Sequence, residues 1–250
     1  MDNNCNTKGN KLKNDHQLEE MFSSIAHRYD LLNSIISLNL HHRWRKKAAE
    51  LSGIKKNMTA LDICCGTGDM AFALLKKADG DIKVIGIDIS QEMLNIAKKK
   101  STSSGYNGVT FLKGNMCRMP FDDNFFDVAT IAFGLRNITN VPLALKEACR
   151  VLKPNGKIVC LEISIPKSAI IYLPWKIWFS VLTPIWGKMF RSNKSAYRYL
   201  PESVNKFMKP EEVVEEFIQN GFCEVKSLPL SFGFVTIYTG IKAKMPEYNN

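Results

Sequence analysis

None of the seven cysteines lies in a C-x-x-C, and their number is odd, with Cys64 and Cys65 adjacent. Zinc ribbons, thioredoxin-like motifs and a fully paired disulfide framework are thereby excluded, and reduced thiols of a cytoplasmic protein are expected. The first 17 residues lack the apolar core of a signal peptide and the Arg-rich face of a transit peptide, so residues 1–17 read as a flexible polar tail. Internal repeats and low-complexity tracts are absent. So is any run of the roughly 20 uninterrupted apolar residues that a membrane span requires. The most apolar stretch, Ile165 to Phe190, is broken by Pro174, Lys176, Pro184 and Lys188. From Ile163 to Pro201 there is no acidic residue, while six basic ones (Lys167, Lys176, Lys188, Arg191, Lys194, Arg198) accompany Trp175, Trp178 and Trp186.

What is present is ordinary globular material, 45% hydrophobic and 23% charged over 250 residues. A chain of this length buries about three quarters of its unfolded surface without a staple. The net charge of +10 admits nucleic acid, anionic lipid or an acidic substrate as partner and does not choose among them. Residues Gln17 to Glu50 read as helical, without a complete core pattern, and are expected to form a helical cap over residues 18–56. From Thr59 onward, strand-length apolar runs (Thr59 to Cys64, Lys83 to Asp88, Val109 to Lys113, Phe126 to Ala132, Lys157 to Ile163) alternate with amphipathic segments (Asp69 to Lys77, Gln91 to Lys100, Val141 to Val151). This alternation predicts right-handed βαβ units and a mostly parallel sheet with helices on both faces, an α/β fold. A helix over Pro210 to Asn220 and strands near Cys223 to Leu228 and Phe234 to Lys242 complete seven strands, the last pair expected as antiparallel edge strands. Residues 18–250 are expected to form one domain, with residues 164–200 inserted as an apolar, basic lid.

At the turn from the first strand into the first following helix stands Leu61-Asp62-Ile63-Cys64-Cys65-Gly66-Thr67-Gly68-Asp69. Glycines here allow a sharp turn and close approach of a ligand to free backbone N–H groups. Asp88 follows 20 residues after Gly68, at the end of the second strand, where a carboxylate accepts from two ribose hydroxyls. A third glycine is missing, since Ala71 occupies its place. That departure disfavours a pyrophosphate and favours adenosine joined to a group without phosphate. Cys64 and Cys65 read as small packing residues of the loop, and the adjacent His41 and His42, lacking further ligands at metal spacing, as surface or capping residues. No metal is expected.

Four dispersed motifs extend the pattern: Met21-Phe22-Ser23-Ser24-Ile25-Ala26-His27-Arg28-Tyr29-Asp30-Leu31-Leu32-Asn33, Phe133-Gly134-Leu135-Arg136-Asn137, Arg150 through Gly156, and Tyr197-Arg198-Tyr199-Leu200-Pro201-Glu202-Ser203. With them the chain resembles the class I methyltransferases that use S-adenosylmethionine, and within those the C-methyltransferases of menaquinone and ubiquinone biosynthesis, over roughly Phe22 to Lys242. The resemblance implies a Rossmann-like class I methyltransferase fold and S-adenosylmethionine as methyl donor. It implies cofactor contacts at Thr67, Gly68 and Asp88, an adenine clamp at Asn115 and Met116, a main-chain contact at Ala132, and Asp62 and Gly66 beside the methionine part. The family more often has Asp at the position of Asn115 and a small residue at that of Met116.

The implied acceptor is a prenylated demethylmenaquinol, with a ubiquinone-pathway benzoquinol as the alternative. Its ring carbon must be made electron-rich by drawing off a phenolic proton, so general-base assistance is expected. Candidates are Arg136, Asn137, Tyr29, Asp30 and Tyr199, and beside them His27 and Tyr197. Arg136 suits stabilisation of a phenolate, since guanidinium stays charged. Alternatively Tyr29 and Asp30 cap a helix, Arg136 and Asn137 hold a turn, and Tyr199 packs. A nucleic-acid methyltransferase is disfavoured: the chain reads Ile131-Ala132-Phe133-Gly134 where base-amino methyltransferases carry Pro-Pro-aromatic, and no Pro-Cys nucleophile exists. A non-catalytic descendant is disfavoured by the intact Asp62, Gly66, Gly68 and Asp88. Tryptophans with lysines in the lid suit peripheral contact with the inner face of the cell membrane. A homo-oligomer stays open.

Overall fold

The computed structural model describes residues 15–178 and 194–244, with side chains of residues 194–198 left out. Helix α1 (Asp15–Ile36) and helix α2 (Leu40–Ser52) precede strand β1 (Thr59–Ile63), α3 (Asp69–Lys77), β2 (Lys83–Asp88), α4 (Gln91–Ser103), β3 (Val109–Lys113), β4 (Phe126–Ala132), α5 (Val141–Val151) and β5 (Leu152–Ile163). Then come α6 (Ala169–Ile177), α7 (Lys194–Lys206), α8 (Pro210–Gln219), β6 (Phe222–Leu230) and β7 (Val235–Lys242). The seven strands form one sheet in the order β3-β2-β1-β4-β5-β7-β6.

Alternation along the strands divides the core in two. Ala60, Val128, Val159 and Ile237 pack on α2, α3 and α4, while Leu61, Ile63, Ala129, Ile131 and Cys160 pack on α5 and α8. A strand buried on both faces reads as a continuous apolar run, which is why these strands stand out from the sequence. Neighbouring registers are parallel from β3 through β5.

Several expectations change. The continuous helix over residues 17–50 is two helices, because Leu38 and Asn39 adopt left-handed conformations (φ 50° and 61°) and turn the chain. Helix α1 begins at Asp15, ahead of the expected tail boundary, and residues 1–14 lie outside the described part. Helix α2 of the N-terminal region is also a layer of the fold: Ala48 and Ala49 enter the main core beside α3. Strand β7 is not at the edge. It lies between β5 and β6, antiparallel to both, because the tight β6–β7 hairpin must reverse direction and the apolar Val235, Ile237 and Tyr238 need cover on each side. Strand β5 begins at Leu152, and its register against β4 slips across Lys153-Pro154-Asn155-Gly156, where Asn155 is left-handed.

Phe217 is fully buried beneath β7 and β6, its ring 5.5 Å from Phe222 and 6.3 Å from Tyr238. Phe217→Ala is expected to destabilise the protein by about 3–5 kcal/mol, read as a lower urea midpoint with unchanged slope.

Candidate active site

The strand order reverses between β1 and β4, and a crevice opens at their carboxyl ends. Three connected spaces lie there. A crevice of about 80 Å³ is lined by Gly66, Asp88, Asn115, Met116, Ala132 and Asn137. A recess of about 20 Å³ is lined by Arg45, Asp62, Gly66, Thr67 and Ala132. An apolar cavity of about 300 Å³ is lined by Met21, Phe22, Ile25, Trp44, Arg136, Trp178 and Tyr199, among others. Tyr29 lines all three.

The crevice is built from backbone and carboxylates. Asp88 accepts from the Gly66 N–H (2.9 Å) and the Ser90 N–H (2.9 Å), one on each oxygen, which leaves further lone pairs for ribose hydroxyls. Burial raises its pKa and these N–H groups partly offset the rise. Gly66 is left-handed, and a Cβ there would stand 3.9 Å from the Tyr29 ring, in the ligand's space. Asn115 accepts from the Cys117 N–H (2.8 Å) and donates to Asp15 (2.7 Å), and Met116 is buried below it. Asp62 is fully buried, accepts from the Ala71 N–H and the Thr130 hydroxyl, and is pushed up to about 7 by burial. Cys64 and Cys65 are held as thiols, burial pushing both well above the usual range.

Gly68 departs from expectation. It lines none of the three spaces; its φ of +87° and a would-be Cβ only 2.9 Å from Phe111 show that it is needed for the helix to pack against the sheet. Thr67 turns its hydroxyl to Asp30, donating at 2.6 Å, while its residue lines the recess.

Around the apolar cavity, Arg136 is fixed by Glu162: its Nη1 donates to Glu162 Oε1 (2.6 Å) and to the Phe133 carbonyl (2.7 Å), and its own N–H reaches Glu162 Oε2 (3.2 Å). Tyr199 donates to Asn137 Oδ1 (3.0 Å), which ties the cavity to the crevice. Burial raises the phenol pKa of both Tyr29 and Tyr199.

Two candidates on α1 lie away from the three spaces. His27 is exposed. Asp30 lines none of the three spaces, because one residue beyond Tyr29 is a turn of about 100° around the helix. Its carboxylate is held by Thr67 and by Lys100 (2.9 Å), so it pins α1 to the glycine loop. The side chain of Tyr197 lies outside the described residues.

Sequence reasoning missed Glu162, His41, Trp44 and Arg45. Glu162 is the lone charge in the apolar stretch Ile158 to Ile163 of β5, a signal that was available. His41 is buried and lines the cavity, contrary to the surface role expected for it; burial, with Arg45 and His42 nearby, lowers its pKa to about 4. Arg45 hides in the basic run Arg43 to Lys47, and only its helical phase with His41 and Ala48 sets it apart.

The model of the ubiE/COQ5 methyltransferase family matches residues 10–242. The chain belongs to this family. A demethylmenaquinone methyltransferase of Staphylococcus aureus (strain MRSA252) is 39% identical over 231 residues, covering 92% of this chain and 95% of the relative. Solved structures share the fold. An S-adenosylmethionine-dependent methyltransferase from Aquifex aeolicus has TM-score 0.65 at 20% identity, covering 88% of this chain and 98% of that one. A Haemonchus contortus phosphoethanolamine N-methyltransferase 2, in complex with S-adenosyl-L-methionine, has TM-score 0.60 at 14% identity, covering 81% and 53%. The protein is therefore an S-adenosylmethionine-dependent methyltransferase of this family; in the crevice Asp88 keeps lone pairs beyond its two N–H partners, and Gly66 carries no side chain to fill the space.

Because Asp62 carries a pKa near 7 against about 3.9 in an unfolded chain, the folded state holds an extra proton between those values. Its contribution to stability is present below about pH 4 and lost as pH rises to about 7. Asp62→Asn is expected to flatten this part of the profile, so that the melting temperature of wild type falls relative to the variant between pH 4 and 7.

Proposed function

We propose that the chain methylates a ring carbon of a prenylated demethylmenaquinol, yielding menaquinol, with S-adenosylmethionine as donor. The observation that carries this reading is the junction of the cofactor crevice, through Phe22, Tyr29 and Phe133, with an apolar cavity in which Arg136 is held by a buried carboxylate. S-adenosylmethionine supplies a methyl group already activated on a sulfonium. What remains for the protein is to align a carbon with that group and raise its electron density.

A quinone ring carbon is electron-poor. In the quinol, loss of a phenolic proton sends charge to the ortho carbon, which bonds to the methyl group; that carbon then sheds its own proton and aromaticity returns. In the net exchange one ring hydrogen leaves as a proton. The hold on Arg136 Nη1 by Glu162 and the Phe133 carbonyl supports a role for its guanidinium in stabilising the phenolate. Asn137, held by Tyr199, orients the same oxygen, and Tyr29 closes the space where crevice and cavity meet. The departing proton passes to solvent water, since the guanidinium of Arg136 is already charged and cannot accept it.

A benzoquinol ring fits the same chemistry. The naphthoquinol is favoured because relatives named demethylmenaquinone methyltransferase match over nearly their whole length. Among the described residues no helix is long and apolar enough to cross a membrane. Helix α6 lends Pro174, and Trp178 just past its end, to the cavity while Ile170 and Leu173 stand 86% and 60% exposed, and Leu38 at the cavity edge is 67% exposed. This apolar rim supports entry of the prenyl tail from a lipid surface, with the protein peripheral to the membrane on the cytoplasmic side. Trp186, Lys188 and Arg191 of the expected lid lie outside the described residues.

The test is transfer of labelled methyl to short-chain demethylmenaquinone and to its benzoquinone counterpart, each with and without reductant. Label in the naphthoquinone lipid only under reduction is expected; no label in either lipid, with the cofactor bound, overturns the acceptor. The division of labour gives a second expectation. Asp88→Ala loses cofactor affinity by at least tenfold in calorimetry, whereas Arg136→Lys, which keeps a charge against Glu162, binds the cofactor normally and loses turnover by at least tenfold, the scale of one charge-assisted hydrogen bond.

A further inference from the structure

Two buried guanidinium nitrogens, Nε of Arg136 and Nε of Arg45, have no hydrogen-bond partner among the described residues. Arg136 has a carboxylate, Glu162, at 2.6 Å. Arg45 has none within hydrogen-bond distance. It is 6% exposed on the inner side of α2, and its Nη1 donates to Nδ1 of His41 at 2.5 Å. That imidazole is kept neutral by burial. The Phe133 ring centroid lies 5.3 Å from the guanidinium carbon. Asp69 Oδ2 stands 3.7 Å away, and the other oxygen of Asp69 is committed to Lys100 at 2.6 Å. Beside the neutral ring, the aromatic face and the shared, distant carboxylate, this buried cation has only the His41 carbonyl at 3.5 Å and Asp62 lining the same recess, so its unpartnered Nε keeps donor capacity for an anion.

The surroundings define that anion. Arg45 lines the recess with Asp62, Gly66 and Thr67, and about 20 Å³ admits one or two water-sized groups, not a ring. The recess shares Tyr29, Cys64, Gly66 and Ala132 with the crevice that holds Asp88. A ligand with its ribose on Asp88 therefore sends its opposite end here. The planar fork of arginine matches a carboxylate. Asp62, lining the same recess, provides the complementary acceptor for an ammonium group.

We propose that Arg45 is the receptor for the carboxylate of the methionyl end of S-adenosylmethionine. The proposal rests on the cofactor reading above and extends it to α2, so that the helix preceding the sheet distinguishes the amino-acid end of the cofactor.

The test is calorimetric binding of three probes, S-adenosylmethionine, decarboxylated S-adenosylmethionine and 5′-methylthioadenosine, to wild type, Arg45→Met and Arg45→Lys. Wild type is expected to bind S-adenosylmethionine about 10- to 100-fold more tightly than the decarboxylated form. Arg45→Met is expected to erase that difference while 5′-methylthioadenosine binds unchanged, which also reports an intact fold. Arg45→Lys, which keeps the charge and loses the fork, is expected to fall between and decides the matter if the methionine variant does not fold. Equal affinity of wild type for the carboxylated and decarboxylated forms, or equal loss of all three probes in the folded variants, overturns the proposal and leaves the adenosine site standing. Failure of wild type to bind any of the three overturns the cofactor reading itself.

Discussion

From β1 the chain winds toward β2 and β3, and from β4 it winds the other way, so the loops after these two adjacent strands diverge. The gap between them cannot be filled by the sheet, and the crevice, the recess and the apolar cavity are arranged around it. Gly66 and Asp88 occupy one lip, Ala132 and the Phe133 to Asn137 segment the other. Helix α1 then lies across the opening, packing Ile25 and Ala26 against Met93 of α4 and Leu18 and Met21 against Tyr199 of α7. One apolar stripe of one helix thus roofs both the crevice and the apolar cavity.

A roof made of apolar contacts alone would slide. The Asp30 carboxylate joins it to the glycine loop through Thr67 and to α4 through Lys100, and Lys100 continues to Asp69 at the start of α3. Exposed ion pairs contribute little, but these part-buried, charge-assisted bonds converge on the loop that shapes the cofactor site. Asp30 is thereby a positioning residue for Tyr29, its neighbour in sequence, and the two adjacent side chains divide the work: one faces ligand space, the other holds the helix in place.

Much was legible in the residues. Strands β1, β2 and β4 announced themselves as apolar runs because parallel strands are covered on both faces, and Gly66 and Asp88, one βα unit apart in sequence, line one crevice. Less was legible where two roles share one residue type. Gly68 looks like a ligand-facing glycine and is a packing glycine; His41 and Arg45 sit in a basic run that looks solvated and point into the core. Helical phase sorts such residues only when the partner face is known, and that face is supplied by α3 and the sheet.

Local pattern by itself determined the strand and helix alternation, the mostly parallel sheet, the loop at Gly66 and the absence of a membrane-spanning run, since each follows from short-range periodicity and backbone sterics. The tertiary structure alone decided that Glu162 meets Arg136 across 26 residues, that Tyr199 meets Asn137 across 62, and that Asp30 meets Thr67 across 37. Such pairings depend on where the sheet brings distant segments, and a buried charge finds its partner only after the surrounding apolar surface has closed around it.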